Sequence, residues 1–279
     1  MKRTLILSPL FASILFFASC NNEAEKTETP TDTTVAKGPQ IKEENVTYSA
    51  DGVNMKGFVV YDAAKEGARP AILVIHEWWG LTDYTKRRAR QLADLGYIAM
   101  AVDMYGEGKT ADNPDSAGKY AAPFYKDPRM MQSRFDAALA HVKNYPQTDT
   151  SRIAAIGYCF GGAQALNLAR LGENLKGVVS FHGNLVGVPL DKSKLKAAIL
   201  VCHGAADQFV KPEEITKFKK DMDAAGVNYT FKSYEGAVHA FTNPDATAMG
   251  EKFKIPIKYD AAADSASWND MKTFFSKIF

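Results

Sequence analysis

From Ile41 onward, short apolar runs rich in β-branched residues alternate with longer stretches in which apolar positions recur every three or four residues. The first two runs, residues 45–49 and 55–61, flank Asp51-Gly52, a turn pair that predicts a β-hairpin. Six more strands are predicted over 71–75, 98–102, 153–156, 178–181, 198–201 and 229–234. The middle runs show little polar alternation, as expected of strands covered on both faces of a parallel sheet. Helical periodicity covers 85–95, 128–145, 161–171, 213–225 and 265–279, most clearly where Met131, Phe135, Ala138, Leu139 and Val142 share one face. The alternation predicts one α/β domain over 41–279, a mostly parallel, doubly wound sheet with an N-terminal antiparallel hairpin.

The first forty residues follow another pattern. Lys2 and Arg3 precede an apolar segment, residues 5–17, that ends in small residues before Cys20, the layout of a cleaved targeting signal. Phe17-Ala18-Ser19-Cys20 resembles the lipobox of bacterial lipoproteins, which implies a signal peptide over 1–19, lipidation at Cys20, and a chain held at the cell envelope by acyl groups without spanning the membrane. Residues 20–40 are polar and lack the apolar surface that would offset ordering, so they read as a flexible tether. Removing Lys2 and Arg3 with the signal leaves 32 basic residues against 32 acidic ones. That balance gives no reason to expect a nucleic-acid partner.

Chemistry-bearing residues collect where the predicted strands end, and in open α/β sheets ligands bind beyond the carboxyl ends of the strands. There lie His76-Glu77-Trp78-Trp79-Gly80, Asp103, Gly157-Tyr158-Cys159, His182-Gly183, His203 to Asp207, and the segment containing His239. Gly157-Tyr158-Cys159-Phe160-Gly161 has the form of a nucleophile elbow, in which a strained strand-to-helix turn exposes the central residue. A thiol there faces the first turn of a helix, whose unpaired N–H groups favour the thiolate. The backbone N–H of Phe160 and that of Trp78 are the expected oxyanion donors. The elbow also fixes the chain order nucleophile, acid, histidine, and Asp207 and His239 follow in that order.

Each residue alone has a plainer reading: the glycines as tight packing, Asp207 as a helix cap, His239 as a core histidine. Cys159 and Cys202 are expected to be free thiols, because a nucleophile explains Cys159 better than a disulfide does. His76, His182 and His203 show no tight ligand spacing, so neither a metal nor a cofactor is expected. Lys86-Arg87-Arg88-Ala89-Arg90 reads as a solvated helix face.

Taken together, HEWWG, the stretch from Gly96-Tyr97 to Asp103-Met104-Tyr105-Gly106, GYCFGG, HGAADQFV and YEGAVHAF resemble the dienelactone hydrolase family of α/β-hydrolases over essentially all of 41–279. The resemblance implies Cys159 as nucleophile, His239 as general base, Asp207 as the residue orienting it, and Glu77 as a carboxylate interacting with the thiol. Trp79, Tyr158 and Asn243 are the expected substrate contacts, and a cofactor-free monomer acting on a small ester or lactone is implied. One departure stands out. Family members that bind an anionic lactone place arginine four residues after the histidine, where this chain has Asn243, and 112–125 contains no arginine either. The expected substrate is therefore uncharged. Acyl transfer or thioester cleavage on the same triad, and a surface-tethered binding protein without turnover, remain open alternatives.

Overall fold

The computed structural model describes residues 38–279; the proposed signal peptide, Cys20 and nearly all of the tether lie outside the described residues. The chain runs β1 (Ile41–Ala50), β2 (Val53–Asp62), β3 (Arg69–Ile75), α1 (Asp83–Asp94), β4 (Ile98–Val102), α2 (Pro114–Lys126), α3 (Pro128–Lys143), β5 (Thr148–Tyr158), α4 (Phe160–Leu171), β6 (Gly177–Phe181), β7 (Ala198–Gly204), α5 (Pro212–Ala225), β8 (Tyr229–Tyr234), α6 (Ala246–Phe253) and α7 (Ala261–Ile278). The strands form one eight-stranded sheet in the order β1-β2-β4-β3-β5-β6-β7-β8. β1 and β2 pair antiparallel, as do β2 and β4, and the remaining neighbours are parallel. This is the α/β-hydrolase fold, with the expected hairpin closed by Asp51 and Gly52, both at positive φ.

Period-two alternation splits the apolar residues of the central strands between two cores. Leu73, Ile75, Ala155 and Val178 face α3, α4 and α5, whereas Ile72, Val74, Ala154 and Val179 face α1 and α7. Both faces are covered, which is why the strand sequences lack polar alternation.

Two helices were not expected. In α2, Pro114, Gly118 and Pro123 look like breakers, yet Pro114 occupies the first helical turn, where its missing N–H costs nothing, and the Asn113 side chain caps Ser116 N at 2.9 Å. The eight-residue α6 is too short to show periodicity. The basic run on α1 also departs from expectation. Arg88 is buried, its guanidinium set over the rings of Tyr84, Tyr158 and Trp268, paired with Asp264 and donating to Thr242 O at 2.6 Å. A paired, ring-stacked guanidinium tolerates burial that an isolated charge would not.

Candidate active site

The turn between β5 and α4 is strained at its centre, for Cys159 has φ 52° and ψ −113° although it is not glycine. Two glycines make the turn feasible. A Cβ on Gly157 would overlap the carbonyl of Gly161, and one on Gly161 would overlap the Ile75 carbonyl and reach within 2.6 Å of the His76 carbonyl. Helix α4 can thus start hard against β3 and β5. Gly161→Ala is expected to cost on the order of 3 kcal/mol, since the contacts are backbone and cannot swing aside; equilibrium denaturation checks this.

Three other strand ends converge on the elbow. The His239 ring lies on the segment after β8, its Nδ1 2.8 Å from Asp207 Oδ2 in the loop after β7. Asp207 Oδ1 accepts the Phe209 N–H at 2.8 Å, so both carboxylate oxygens are engaged and the acid is fixed in place. With Nδ1–H committed to Asp207, Nε2 is left for the cavity. Burial alone lowers the His239 pKa, but the neighbouring Cys159 sulfur and the Asp207 carboxylate outweigh it and raise the ring to about 10.

Cys159, His239, Glu77, Trp78, Trp79 and Phe160 line one cavity of about 330 Å³. Its remaining wall comes from Gly118, Ala121, Ala122 and Tyr125 on α2, together with Asn184, Phe209, Ala240 and Ile257. No lysine or arginine lines it. The backbone N–H groups of Trp78 and Phe160 have no protein acceptor among the described residues. The Glu77–Trp78 peptide is held by its carbonyl, which faces His76 Nδ1 at 2.5 Å and accepts the Gly80 N–H at 3.1 Å. In a trans peptide the N–H points opposite the carbonyl, so these bonds also aim the Trp78 N–H. His76 Nε2 accepts from Met104 N at 3.3 Å, and burial lowers the pKa of the ring.

Two expected substrate contacts are corrected. Tyr158 precedes Cys159 on a strand and therefore points to the opposite face, fully buried and stacked on Phe181 at 4.7 Å between ring centroids. Asn243 lines a separate cavity between α1 and α6, and its amide donates to Glu77 Oε2 at 2.7 Å. Among the described residues no hydrogen bond joins Glu77 to Cys159; the carboxylate is anchored by Asn243. Trp79 packs edge-on to Trp78 and stacks on Phe253.

Burial raises the Glu77 pKa from 4.5 to about 7, with the Asn243 amide opposing the rise. The folded chain thus keeps a proton that the unfolded chain has already released. This contribution to stability is complete below pH 4.5 and is lost as pH rises through about 7. Glu77→Gln keeps the acceptor for Asn243 and removes the titration. The variant should match wild type near pH 4.5 and be more stable at pH 8 by at most about 3 kcal/mol; urea titrations at the two pH values check it.

Comparison with known proteins agrees with the fold. The class is that of the α/β-hydrolases. Residues 55–279 match the family model described as "Dienelactone hydrolase family", and the chain belongs to that family. It is 32% identical to a putative carboxymethylenebutenolidase of Aquifex aeolicus over 71% of this chain and 86% of the relative, and 29% identical to the protein usf of Aquifex pyrophilus over 83% and 97%. Among solved structures, a dienelactone hydrolase-like promiscuous phosphotriesterase, P91, from metagenomic libraries superposes with a TM-score of 0.81 at 36% identity, covering 87% of this chain and all of that one.

Tyr125, Phe209 and Ile257 were missed as site residues. Phe209 had a signal, standing two residues after Asp207, whereas Tyr125 and Ile257 carry none that sequence distance reveals.

Proposed function

We propose that the protein hydrolyses uncharged carboxylic esters or lactones through a thioester formed on Cys159. The observation that carries this is the cavity itself, where a cysteine on a strained elbow, an Asp207-bound imidazole and two unpaired backbone N–H groups meet in a space walled by apolar side chains.

In this mechanism Cys159 Sγ attacks the carbonyl carbon, and the Phe160 and Trp78 N–H groups hold the oxyanion. As the tetrahedral species collapses, the C–O bond breaks and the alcohol leaves with the proton from His239. Acylation removes the sulfur's negative charge, one of the influences that raise the imidazole pKa. His239 is thereby returned toward its ordinary basicity, takes a proton from water, and lets the hydroxide attack the thioester. The carboxylic acid is released and the thiolate–imidazolium pair is restored.

Among the described residues the cavity is lined by no lysine or arginine and contains the Glu77 carboxylate, so an acid-bearing substrate meets no bidentate guanidinium partner. A neutral aryl butyrate should be turned over with kcat/KM at least about tenfold above that of the matching hemisuccinate aryl ester. Equal rates for the pair would refute the charge assignment. The likeness to P91 supports a second substrate class of the same charge, neutral phosphotriesters, and a dialkyl aryl phosphate assayed beside the esters tests it. Attachment through lipidated Cys20 rests on the Ala18-Ser19-Cys20 sequence; labelling with a fatty-acid analogue in a bacterial host, with Cys20→Ala as control, tests that part.

A further inference from the structure

We infer that His182 is a positioning residue for this reaction: as a neutral ring it ties the backbone N–H of Cys159 to the hydroxyl of Thr242, on the segment that carries His239, and so sets the sulfur against the imidazole. The inference rests on the reading of Cys159 and His239 given above.

The Cys159 N–H lies 3.0 Å from Phe181 O and 3.1 Å from His182 Nδ1. An amide can only donate, so Nδ1 must carry a lone pair, and the proton of the neutral ring sits on Nε2. Nε2 is 2.7 Å from Thr242 Oγ1. One imidazole therefore spans two separate segments, the elbow after β5 and the stretch after β8, with Thr242 three residues beyond His239. A protonated ring would turn Nδ1 into a donor facing a donor. Burial, together with His239, Arg88 and His203 around it, holds the His182 pKa well below its usual value and keeps that form away. Both His182 and Thr242 are almost wholly inaccessible, so water cannot take over either bond.

Backbone strain shows why such a tie is needed. Among the described residues six non-glycine positions have positive φ, and three of them, Cys159 at 52°, His182 at 42° and Ala240 at 58°, belong to this cluster. Strained conformers persist only where their surroundings over-determine them. The Thr242 segment is held from its other side as well, by Tyr84 OH at 2.6 Å from Oγ1 and by Arg88 donating to the Thr242 carbonyl. Those bonds secure the segment to α1, whereas His182 joins it to the backbone of Cys159.

The test uses the full chain and reads the pH midpoint of Cys159 alkylation by iodoacetamide, with kcat and KM on a neutral aryl ester. Thr242→Val should raise the midpoint by about one unit and lower kcat by about 30-fold, with KM within about threefold, because a small misplacement acts on the chemical step. Thr242→Ser should restore both. Tyr84→Phe removes a bond of the same hydroxyl without touching the His182 link, and should lower the melting temperature while leaving midpoint and kcat in place. If Thr242→Val does not fold, His182→Asn, which keeps an acceptor near Cys159 but cannot reach Thr242, should reproduce its effects. A folded Thr242→Val or His182→Asn with unchanged midpoint and kcat overturns the inference, and so does a Tyr84→Phe effect as large as that of Thr242→Val. An enzyme inert toward every ester whose midpoint still moves as described would sink the hydrolytic reading and leave the positioning role standing.

Discussion

Replacement of Cys159 by alanine is expected to lower kcat/KM on an activated aryl ester by at least about 10⁴-fold, a loss of roughly 5.5 kcal/mol of transition-state stabilisation, while leaving the fold intact. The size follows from the cavity's chemistry. In the proposed mechanism, removing the sulfur leaves no nucleophile to split the reaction into two easier steps, and water would have to attack an ester polarised by the Trp78 and Phe160 N–H groups. The side chain is small and partly exposed at the cavity wall, so its removal opens no core void. Relief of strain at φ 52° is not expected, since alanine is no more at home there than cysteine. Steady-state kinetics beside a thermal melt separate the outcomes. A variant that keeps more than about a tenth of wild-type activity would remove Cys159 from the chemistry.

The second large effect is at Asp207. Asp207→Asn should lower kcat by about 10³- to 10⁴-fold with little change in KM. Asparagine can still accept the Phe209 N–H, so the loop keeps its shape. What changes is the His239 ring. An amide can turn its NH₂ toward Nδ1, which then becomes the acceptor and moves the imidazole proton to Nε2, where a base is needed. Loss of the carboxylate also removes one of the influences that raise the His239 pKa toward 10. The pH profile of kcat/KM for the variant should therefore shift as well as fall in amplitude. A variant with wild-type kcat would show that Asp207 serves only the loop.

The sheet and the elbow were legible in the sequence because their determinants are local. Strand β4 and strand β8 match the predicted ranges, and the others differ mainly at their ends, as with β5, which begins at Thr148 rather than at residue 153. Gly157, Cys159 and Gly161 announce a strained turn within five residues, and the ends of β7 and β8 then point to Asp207 and His239. Helix α2 was not legible, since its prolines and glycine resemble a loop until Pro114 is seen at the first turn and Asn113 at the cap. That omission hid most of one cavity wall, including Tyr125.

Side-chain direction was the other blind spot. Tyr158 sits next to Cys159 in sequence and on the opposite face of the sheet in space. Arg88 belongs to a run of four basic residues in five, but its place on α1 turns it inward to Asp264 and three aromatic rings. Asn243 was expected to touch substrate because of its offset from His239. It instead holds Glu77, and among the described residues no lysine or arginine lines the cavity beside that carboxylate. The proposal of an uncharged substrate therefore rests on the cavity wall, which among the described residues carries no lysine or arginine.

The measurement that bears most directly on the account is the mass of the Cys159-containing peptide after acid quench of the enzyme during turnover of an aryl ester. The account predicts that this peptide gains the mass of the acyl group, in a fraction that follows the initial burst of released phenol. Steady turnover with that peptide unmodified at every quench time would contradict it.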